Sequence, residues 1–326
     1  MNAILALVIA NIIWGAASPI FKYALTDIPP FTLAFIRFFF AGLIFIPFIF
    51  RKFNLDSLKR RDWLELLTGS FFGIVVNISF FFLGVQRTAS INVPIIASTG
   101  PLFIFLFSVI FLHEKPQRKV LTGMALAFFG ALVIIFSPIL FDGKTKTDIS
   151  QFEGNIMIVI ATAGAVLHPI ILKNVLNKIS AYMATFLGFM FASLIFLPLM
   201  IIEQQKWSFT QLHIQGWTGI IFGVFFSSAL AYCLFLYGLS KLKTQEIGLF
   251  TYIDPVVAVL IAAPLLGEYP NIYYFIGSLL VFIGIFFAEN RLHWHPIHKL
   301  RNSKFQNPKS KQYSMPKIQT PNSLDI

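Results

Sequence analysis

Two stretches of the sequence, 154 residues apart, decide the fold: residues 114–130 read EKPQRKVLTGMALAFFG, and residues 268–284 read EYPNIYYFIGSLLVFIG. Both begin with Glu-x-Pro and then carry two glycines that are seven positions apart. At this offset eight pairs of residues coincide: Trp63 with Trp217, Gly69 with Gly223, Gly84 with Gly238, Pro101 with Pro255, Glu114 with Glu268, Pro116 with Pro270, Gly123 with Gly277, and Gly130 with Gly284. This pattern indicates an internal repeat of two similar structural units.

The offset changes to 151 earlier in the chain, where residues 41–47 (AGLIFIP) lie over residues 192–198 (ASLIFLP). Lys22 lies over Lys173 at this second offset. A difference of three residues in the length of one loop explains the change. The repeat therefore reaches back to the first apolar stretch of the chain.

The composition excludes a soluble globular protein. Of the 326 residues, 57% are hydrophobic and 12% are charged, whereas a soluble domain carries about 25% charged residues. The single cysteine, Cys233, excludes an internal disulfide framework and a cysteine-based metal site. The net charge of +11 is spread over loops and the tail, so no nucleic-acid partner is predicted. We therefore expect the lipid bilayer to surround the chain, and we predict no metal and no cofactor.

Apolar stretches of about 17 to 25 residues are long enough to cross roughly 30 Å of hydrocarbon. The sequence contains ten of them, at approximately residues 3–23, 31–50, 63–83, 90–112, 120–140, 155–172, 181–202, 217–237, 247–266 and 272–288. The predicted fold class is therefore an all-α integral membrane protein with ten transmembrane helices.

Each repeat contains five spans, and because five is an odd number the second repeat must be inserted upside down relative to the first. The sequence thus predicts two inverted five-helix repeats, at residues 1–141 and 155–288, with an outer connecting loop at 142–154 and a basic, disordered cytoplasmic tail at 289–326. Two similar halves of opposite orientation can exchange roles and open a central site to each side in turn. A duplication that only stabilises a helical bundle is the alternative.

The distribution of basic residues predicts the orientation. With the amino terminus inside, nineteen Lys and Arg residues fall in cytoplasmic segments and four in the outer loops. Cytoplasmic loops of membrane proteins carry such an excess. We therefore expect a multi-pass protein of the inner (cytoplasmic) cell membrane with both termini in the cytoplasm.

Polar residues in lipid-embedded helices are costly, so they should face protein or a water-filled cavity. In the first span Asn11, Trp14, Ser18 and Lys22 follow the spacing of one helical face. Asn77 and Phe80 belong to a similar stripe on the third span, together with several glycines that favour close helix packing. Asn77 can bond either a neighbouring helix or a ligand.

Three ionisable residues lie inside predicted spans at positions where the two repeats differ. Under the alignment Arg37 falls on a glycine, His168 on an alanine and Asp254 on a glycine. His168 and Asp254 each precede a proline, which frees a backbone carbonyl one turn back. We predict that these residues serve the ligand or a coupling proton. The alternatives are a snorkelling or carbonyl-capping arginine and a histidine that only packs.

The remaining predicted site residues have simpler roles. Ser98, Phe225, Tyr232 and Tyr252 complete the predicted substrate-binding set, in which the aromatic rings supply apolar walls or belong to the bundle core. Lys22, Glu114 and Glu268 are predicted as gating or structural residues, because the two glutamates occupy equivalent helix ends on opposite membrane faces.

The chain resembles the EamA-type family of the drug/metabolite transporter superfamily over residues 1–288. The resemblance is carried by Trp14-Gly15 followed by Lys22, by Arg37-Phe38, by Glu114-x-Pro116, by Gly267-Glu268-Tyr269-Pro270, and by the glycines at 123, 130, 277 and 284. His113 departs from the glycine that the family places before its glutamate, and the tail is longer than the pattern needs. The resemblance implies ten helices and movement of small metabolites, often amino acids or their derivatives, without ATP hydrolysis.

The predicted function is alternating-access secondary transport of a small metabolite, with an amino acid or derivative as the first choice and efflux as the direction that the resemblance favours. An uptake carrier for S-adenosylmethionine is the second reading, and a channel or an integral-membrane enzyme is more remote. For the enzyme alternative the sequence offers no catalytic constellation, since His113-Glu114 has no second histidine at the spacing of a zinc protease. A proton is a candidate coupling ion, and a monomer and a homodimer both remain open.

Overall fold

The computed structural model describes residues 2–49, 58–112, 118–140, 146–172, 174–239, 241 and 250–288, and every regular element within these ranges is helical. The α-helices are α1 Ala3–Gly15, α2 Ala17–Ala24, α3 Pro30–Ile49, α4 Arg60–Ser70, α5 Asn77–Val85, α6 Asn92–Ala97, α7 Gly100–Leu112, α8 Arg118–Leu140, α9 Lys146–Leu172, α10 Ala181–Glu203, α11 Ile214–Ile221, α12 Ala231–Leu239, α13 Ile253–Leu266 and α14 Ile272–Ala288. Two π-helical segments, Phe71–Val76 and Phe222–Leu230, join α4 to α5 and α11 to α12. Short 3₁₀ turns lie at Val175–Asn177, Phe209–Gln211 and Phe250–Tyr252.

Within the described residues, seven helices are long and apolar enough to cross a membrane: Ala3–Ala24, Pro30–Pro47, Arg60–Val85, Val120–Leu140, Lys146–Leu172, Ala181–Glu203 and Ile214–Gly238. Three shorter apolar helices accompany them, at Asn92–Phe107, Phe250–Leu266 and Ile272–Ala288. The prediction of an all-helical, multi-pass membrane protein is confirmed for this part of the chain.

Helix α9 differs most from its predicted span. The apolar stretch begins near residue 155, but the helix begins at Lys146. The additional turns contain Lys146, Asp148 and Glu153, so a criterion based on apolar content misses them. Polar residues of this kind suit a helix that continues beyond the hydrocarbon region.

Two predicted spans are interrupted where a proline removes a hydrogen-bond donor. The first span breaks at Ala16, because Pro19 cannot donate to the carbonyl of Gly15. The fourth span breaks between Ala97 and Gly100, because Pro101 cannot donate to the carbonyl of Ala97. The resulting half-helices direct the chain around the cavity described below.

The helices pack in pairs that bring distant parts of the sequence together. Helix α3 lies along α10, and α8 lies along α14. At the second contact Gly123 and Gly284 face each other, and a Cβ placed on either would lie 2.5 Å from the carbonyl oxygen of the other. Only glycine permits this approach, so the two backbones touch directly. The α8–α14 pair is therefore held by close van der Waals contact.

One end of the bundle, here called the Glu268 end, contains the connections at residues 25–29, 86–91, 204–213 and 267–271. Carboxylates at this end cap helices other than their own. The Glu203 carboxylate accepts the backbone N–H groups of Phe31 and Thr32 at 3.1 and 2.6 Å, at the start of α3. Asp27 Oδ2 accepts the N–H groups of His213 and Gly216 at 2.7 and 2.9 Å, at the start of α11. A carboxylate at a helix amino terminus also complements the helix dipole.

At the opposite end, here called the Lys178 end, an ion pair joins two separate parts of the chain. Lys178 Nζ lies 2.6 Å from Asp62 Oδ1 and 2.7 Å from Asp62 Oδ2. Asp62 Oδ2 also accepts the backbone N–H of Lys59 at 2.7 Å. This pair ties the start of α4 to the segment before α10.

Candidate functional site

A cavity of about 310 Å³ lies between the break that separates α6 from α7 and the start of α13. The break between α6 and α7 contributes Ala97, Ser98 and Gly100, and the turn before α13 contributes Thr251, Tyr252 and Asp254. Apolar side chains complete the wall, among them Ile104, Val166 and Ile285. Discontinuous helices of this kind build the binding sites of many membrane carriers.

Two prolines leave backbone carbonyls beside the cavity without their usual helical donor. Pro101 cannot donate to the carbonyl of Ala97, and Pro255 cannot donate to the carbonyl of Thr251. Both carbonyl-bearing residues line the cavity. The amino termini of α7 and α13 also lie at the cavity, so hydrogen-bond acceptors and helix-dipole positive ends lie side by side.

Asp254 supplies the carboxylate of this cavity. It stands in the first turn of α13, where the backbone of α1 approaches it closely: a Cβ on Gly15 would lie 2.7 Å from the Asp254 carbonyl oxygen. Its Oδ1 atom is buried and has no hydrogen-bond partner in the described part of the chain. A buried carboxylate oxygen without a partner is costly in a membrane, so it is suited to a proton, a cation or an ammonium group.

Ser98 and Tyr252 border the same cavity with fixed orientations. Ser98 Oγ donates to the carbonyl of Pro94 at 2.7 Å, within its own helix. The Tyr252 ring packs edge-on against Phe282, with 5.3 Å between ring centres. The structure thus brings together three of the predicted site residues, namely Ser98, Tyr252 and Asp254.

Arg37 lies in a second polar cluster, between α3 and the π-helical segment before α12. It is only 4% exposed. Its Nε and Nη2 atoms donate to Ser228 Oγ and Ser227 Oγ at 2.7 and 3.0 Å. The guanidinium carbon also lies 4.9 Å from the ring centres of both Phe21 and Phe38. The guanidinium is therefore held by hydroxyls and aromatic faces, without a carboxylate among its described partners.

Trp14 and Tyr232 extend this second cluster toward α1. Trp14 Nε1 donates to the backbone carbonyl of Ser227 at 3.1 Å. The Trp14 and Tyr232 rings meet edge to face, 5.5 Å between centres, and Tyr232 also meets Phe189 at 5.2 Å. Trp14 and Gly15 are neighbours, so the same turn of α1 touches the Arg37 cluster and, through Gly15, Asp254.

Asn11 and Ser18 are buried on the same helical face as Gly15. Asn11 Nδ2 donates to the carbonyl of Leu7 at 2.8 Å, which leaves its Oδ1 buried without a described partner. Ser18 Oγ is likewise buried and has no partner among the described residues. The face therefore carries polar atoms whose hydrogen-bonding capacity is unused.

Asn77 and His168 lie together at another contact, where α4 and α5 pack against α9. Asn77 Nδ2 donates to the carbonyl of Ala161 at 2.8 Å, and His168 Nδ1 lies 2.8 Å from the carbonyl oxygen of Gly69. A carbonyl can only accept, so Nδ1 carries the proton in this bond. His168 also fills the space beside Gly73. Both side chains join helices here, and neither lines the cavity that contains Asp254.

Lys22 and Glu268 form an ion pair at the Glu268 end, with 2.6 Å between Nζ and Oε1. Lys22 also donates to the carbonyl of Thr88 at 2.6 Å. Glu268 Oε2 accepts the N–H and the hydroxyl of Ser90, each at 2.6 Å. These contacts join α2, the start of α6 and the connection before α14. Glu114 lies outside the described residues.

The two remaining aromatic residues of the predicted set lie apart from both clusters. Phe225 is 56% exposed and borders a groove on the membrane-facing surface. Phe80 is half-buried on α5. Helical spacing alone did not distinguish a residue that faces lipid from one that faces the bundle.

Several contact residues were absent from the predicted set, above all Ser227, Ser228 and Thr251. Ser227 and Ser228 form a polar pair inside an otherwise apolar span, and this could have identified them as partners of Arg37. Thr251 stands four residues before Pro255, so it is the residue whose carbonyl this proline leaves without its helical donor, a signal that the sequence contains.

Comparison with known proteins agrees with this architecture. The chain is 30% identical over 288 residues to the uncharacterized transporter YetK of Bacillus subtilis, covering 88% of this chain and 86% of the relative. It is 22% identical over 289 residues to an uncharacterized transporter of Archaeoglobus fulgidus, covering 89% of this chain and 98% of the relative.

A solved crystal structure of a protein superposes with a TM-score of 0.61 at 17% identity, over 90% of this chain and 98% of the other, and shows the likeness of fold. Residues 1–136 and 152–289 match the profile of the EamA-like transporter family. The helical membrane fold, the cavity at interrupted helices and these matches together identify the chain as a membrane transporter that belongs to the EamA-like transporter family.

Proposed function

We propose that the chain is an alternating-access carrier built from ten helices in two inverted five-helix repeats. Three features of the molecule support this arrangement. The family profile matches the two segments separately. The π-helical segment at 71–76, shifted by 154, falls on residues 225–230, inside the second π-helical segment at 222–230. Pro101 and Pro255, which stand in the first turns of α7 and α13, are also equivalent under that shift.

The pairing of helices supports the same proposal. Helix α5 packs on α9 in the way that α12 packs on α1, and α7 packs on α9 as α13 packs on α1. An approximate two-fold axis in the membrane plane would produce such reciprocal contacts. The amino termini of α7 and α13 then meet near this axis, where a substrate can be reached from either side in turn.

The orientation that we propose places the Glu268 end outside the cytoplasm. The excess of Lys and Arg in the other connections and in the tail supports this assignment, with both termini in the cytoplasm and the protein in the inner cell membrane. The Lys22–Glu268 ion pair then closes the outer end in this conformation.

The proposed substrate is an amino acid or a derivative of one, and the cavity at Asp254 carries this proposal. The Asp254 carboxylate and the carbonyl of Ala97 suit an ammonium group. The amino terminus of α7 at Gly100 suits a carboxylate. A volume of about 310 Å³ lies at the small end of the range of roughly 300–1,000 Å³ for small-molecule sites. A neutral amino acid fits these conditions.

S-adenosylmethionine is the second candidate, as a substrate for uptake. It carries the same ammonium and carboxylate groups, and the Tyr252 ring on the cavity wall offers a surface for a nucleobase. The small cavity favours the simpler amino acid. We further propose that transport is export and that a proton on Asp254 alternates with the ammonium group of the substrate.

The test is counterflow of labelled neutral amino acids, with S-adenosylmethionine as a second substrate, in proteoliposomes. Saturable counterflow is expected for the wild type. Asp254→Asn should lower the initial rate by about tenfold or more, because a charge-assisted hydrogen bond contributes about 1.5–3 kcal/mol. Glu153→Gln is the matched control, since Glu153 is exposed on α9 and remote from the cavity, and it should retain the rate.

Two outcomes would contradict the proposal. Equal rates for Asp254→Asn and wild type would show that the Asp254 carboxylate does not bind the substrate. Flux that rises linearly with concentration, without counterflow, would indicate a pore. Counterflow of S-adenosylmethionine but of no amino acid would select the second candidate.

A further inference from the structure

A long apolar groove opens on the membrane-facing surface between α3 and α11, and is here called the α3–α11 groove. Its volume is about 910 Å³, and every residue that lines it has an aliphatic, thioether or aromatic side chain. Its floor consists of Ile36 and Val224, which are 7% and 3% exposed. Phe40, Leu43 and Trp217 form exposed walls. The groove is concave, so a chain lying in it would contact protein on three sides.

The length of the groove matches one leaflet of a bilayer. On α3 its lining residues run from Phe35 to Ile44, a distance of about 13.5 Å at 1.5 Å per residue. Half of a hydrocarbon core of about 30 Å is about 15 Å. Phe209 and Leu212, in the connection between α10 and α11, border the groove at the Glu268 end. The groove therefore lies at the depth of the acyl chains of that leaflet.

The Glu268 end of the groove combines aromatic rings with a positive charge. Lys206 is exposed and stands between Met200 and Phe209, two of the lining residues. Lys206 makes no ion pair with any described residue. Trp207 packs on Phe209 at 5.2 Å and donates to the carbonyl of Asp27 at 2.8 Å, which fixes this connection. Tryptophan at this level and a free lysine are typical of a lipid headgroup region.

We propose that the α3–α11 groove is a binding site for an anionic phospholipid of the leaflet at the Glu268 end, with an acyl chain in the groove and the phosphate at Lys206. Without such a chain the lining residues would lose dispersion contacts on one side. The bound chain also supports the contact of α3 with α11, next to the bonds by which Arg37 joins α3 to the π-helical segment that follows α11. This site is separate from the transport cavity and does not rest on the proposed substrate.

The first experiment measures the phospholipid that stays bound to the purified full-length protein in detergent, by mass spectrometry. Leu43→Trp fills the groove from its wall. Leu194→Trp is the matched control, because Leu194 is 67% exposed on α10 and does not line the groove. Wild type and Leu194→Trp should retain phospholipid, whereas Leu43→Trp should lose most of it.

The second experiment returns phosphatidylglycerol or phosphatidylcholine to delipidated protein and measures the concentration that half-saturates binding. Lys206→Ala should weaken phosphatidylglycerol binding about fivefold, the effect of one basic side chain near an anionic lipid surface, and should leave phosphatidylcholine binding unchanged. Lys146→Ala, which removes an exposed lysine at the start of α9 at the same end, should behave like wild type.

Retention of no phospholipid by the wild type, or equal retention by Leu43→Trp and Leu194→Trp, would overturn the proposal. Equal affinity of Lys206→Ala and wild type for phosphatidylglycerol would overturn the assignment of the phosphate. A dimer that Leu43→Trp dissociates and Leu194→Trp does not would show that a second copy of the chain, and not lipid, occupies the groove.

Discussion

Arg37 shows how a buried cation can be held within a membrane bundle by neutral groups. Two serine hydroxyls accept hydrogen bonds from two of its nitrogen atoms, and two phenylalanine rings have their centres 4.9 Å from its guanidinium carbon. In a low-dielectric interior each of these contacts is stronger than it would be in water. The cluster therefore joins α3 to the π-helical segment before α12 through bonds that tolerate little substitution.

Ser228→Ala is expected to destabilise the protein, because the Nε–H of Arg37 loses its acceptor at 2.7 Å while remaining buried. The expected cost is about 1–3 kcal/mol, as for an unsatisfied buried donor. Thermal unfolding in detergent measures it. Ser193→Ala is the control, since Ser193 Oγ bonds only carbonyls of its own helix, and its loss should change the melting temperature little. Equal shifts in both variants would contradict the account.

Asp27 predicts a dependence of stability on pH. Partial burial raises the pKa of its carboxyl, but the hydrogen bonds from the His213 side chain and from the N–H groups of His213 and Gly216 lower it more, so the net pKa lies below the ordinary value of 3.8. A lowered pKa in the folded state means that the carboxylate stabilises the protein above pH 3.8. This stabilisation is lost as the pH falls through the folded-state pKa.

Asp27→Asn should therefore melt at a lower temperature than the wild type near pH 7, and the difference should shrink as the pH falls below about 3.8. Thermal melts between pH 3 and 7 measure this. Glu153→Gln, an exposed acidic residue outside the cap, should follow the wild type throughout. A constant difference between Asp27→Asn and wild type over the whole range would contradict the linkage.

At the scale of elements, the glycine contact between α8 and α14 sets the distance between two helices. A Cβ on Gly284 would lie 2.5 Å from the carbonyl oxygen of Gly123, and backbone cannot move aside as a side chain can. Gly284→Ala should therefore separate the helices and lower stability by about 1–3 kcal/mol, the usual cost of overpacking.

Thermal unfolding tests this prediction against Gly100→Ala. A Cβ on Gly100 would meet its nearest neighbour, Val166 Cγ2, at an ordinary 3.5 Å. The control should thus keep the wild-type melting temperature. If Gly284→Ala and Gly100→Ala have the same melting temperature, then the change in helix propensity, and not the close contact between α8 and α14, determines the effect.

The elements were largely predictable from the sequence, but their irregularities were only partly so. Apolar length defined most helices, since a span must cross the hydrocarbon region. It failed at Lys146–Gly154, where the helix continues in polar residues. The sequence predicts irregular helices at Pro169 and Pro255. Helix α9 nevertheless continues through Pro169, whereas the fourth span is interrupted just before Pro101. Which proline ends a helix depends on neighbouring helices that a single sequence does not display.

The residues of the candidate site were predictable only as types. Arg37 and Asp254 were recognised as costly in lipid, but their partners come from helices about 190 and 240 positions away in sequence, as the Arg37–Ser228 bond shows. The role of Glu203 in capping α3 had no sequence signal, because Glu203 is polar at a polar helix end. Long-range contacts of this kind follow from the packing of the whole bundle.

At the scale of the whole molecule, the Lys22–Glu268 pair joins the first and second halves of the chain at one end. If this pair closes the outer end of the transport path, its charges should be exchangeable. Lys22→Met should lower transport, because Glu268 then loses its counter-charge while keeping Ser90. The double exchange Lys22→Glu with Glu268→Lys should recover part of the rate that either single reversal loses.

Initial rates of counterflow in proteoliposomes, corrected for the amount of inserted protein, provide the measurement. The exposed pair Arg61–Glu65 on α4 serves as a control for charge exchange, and its reversal should leave the rate near that of the wild type. If the double exchange at Lys22 and Glu268 transports no better than the single reversals, the pair is not an exchangeable closure.

The close approach of Gly15 to Asp254 restricts how the carrier can acquire new substrates. Because a methyl group at Gly15 would meet the backbone of α13, substitution at residue 15 would displace Asp254 itself. Ile104, Val166 and Ile285 border the same space with side chains that can be shortened. Laboratory selection for bulkier cargo should therefore enrich changes at these three positions and leave residue 15 untouched.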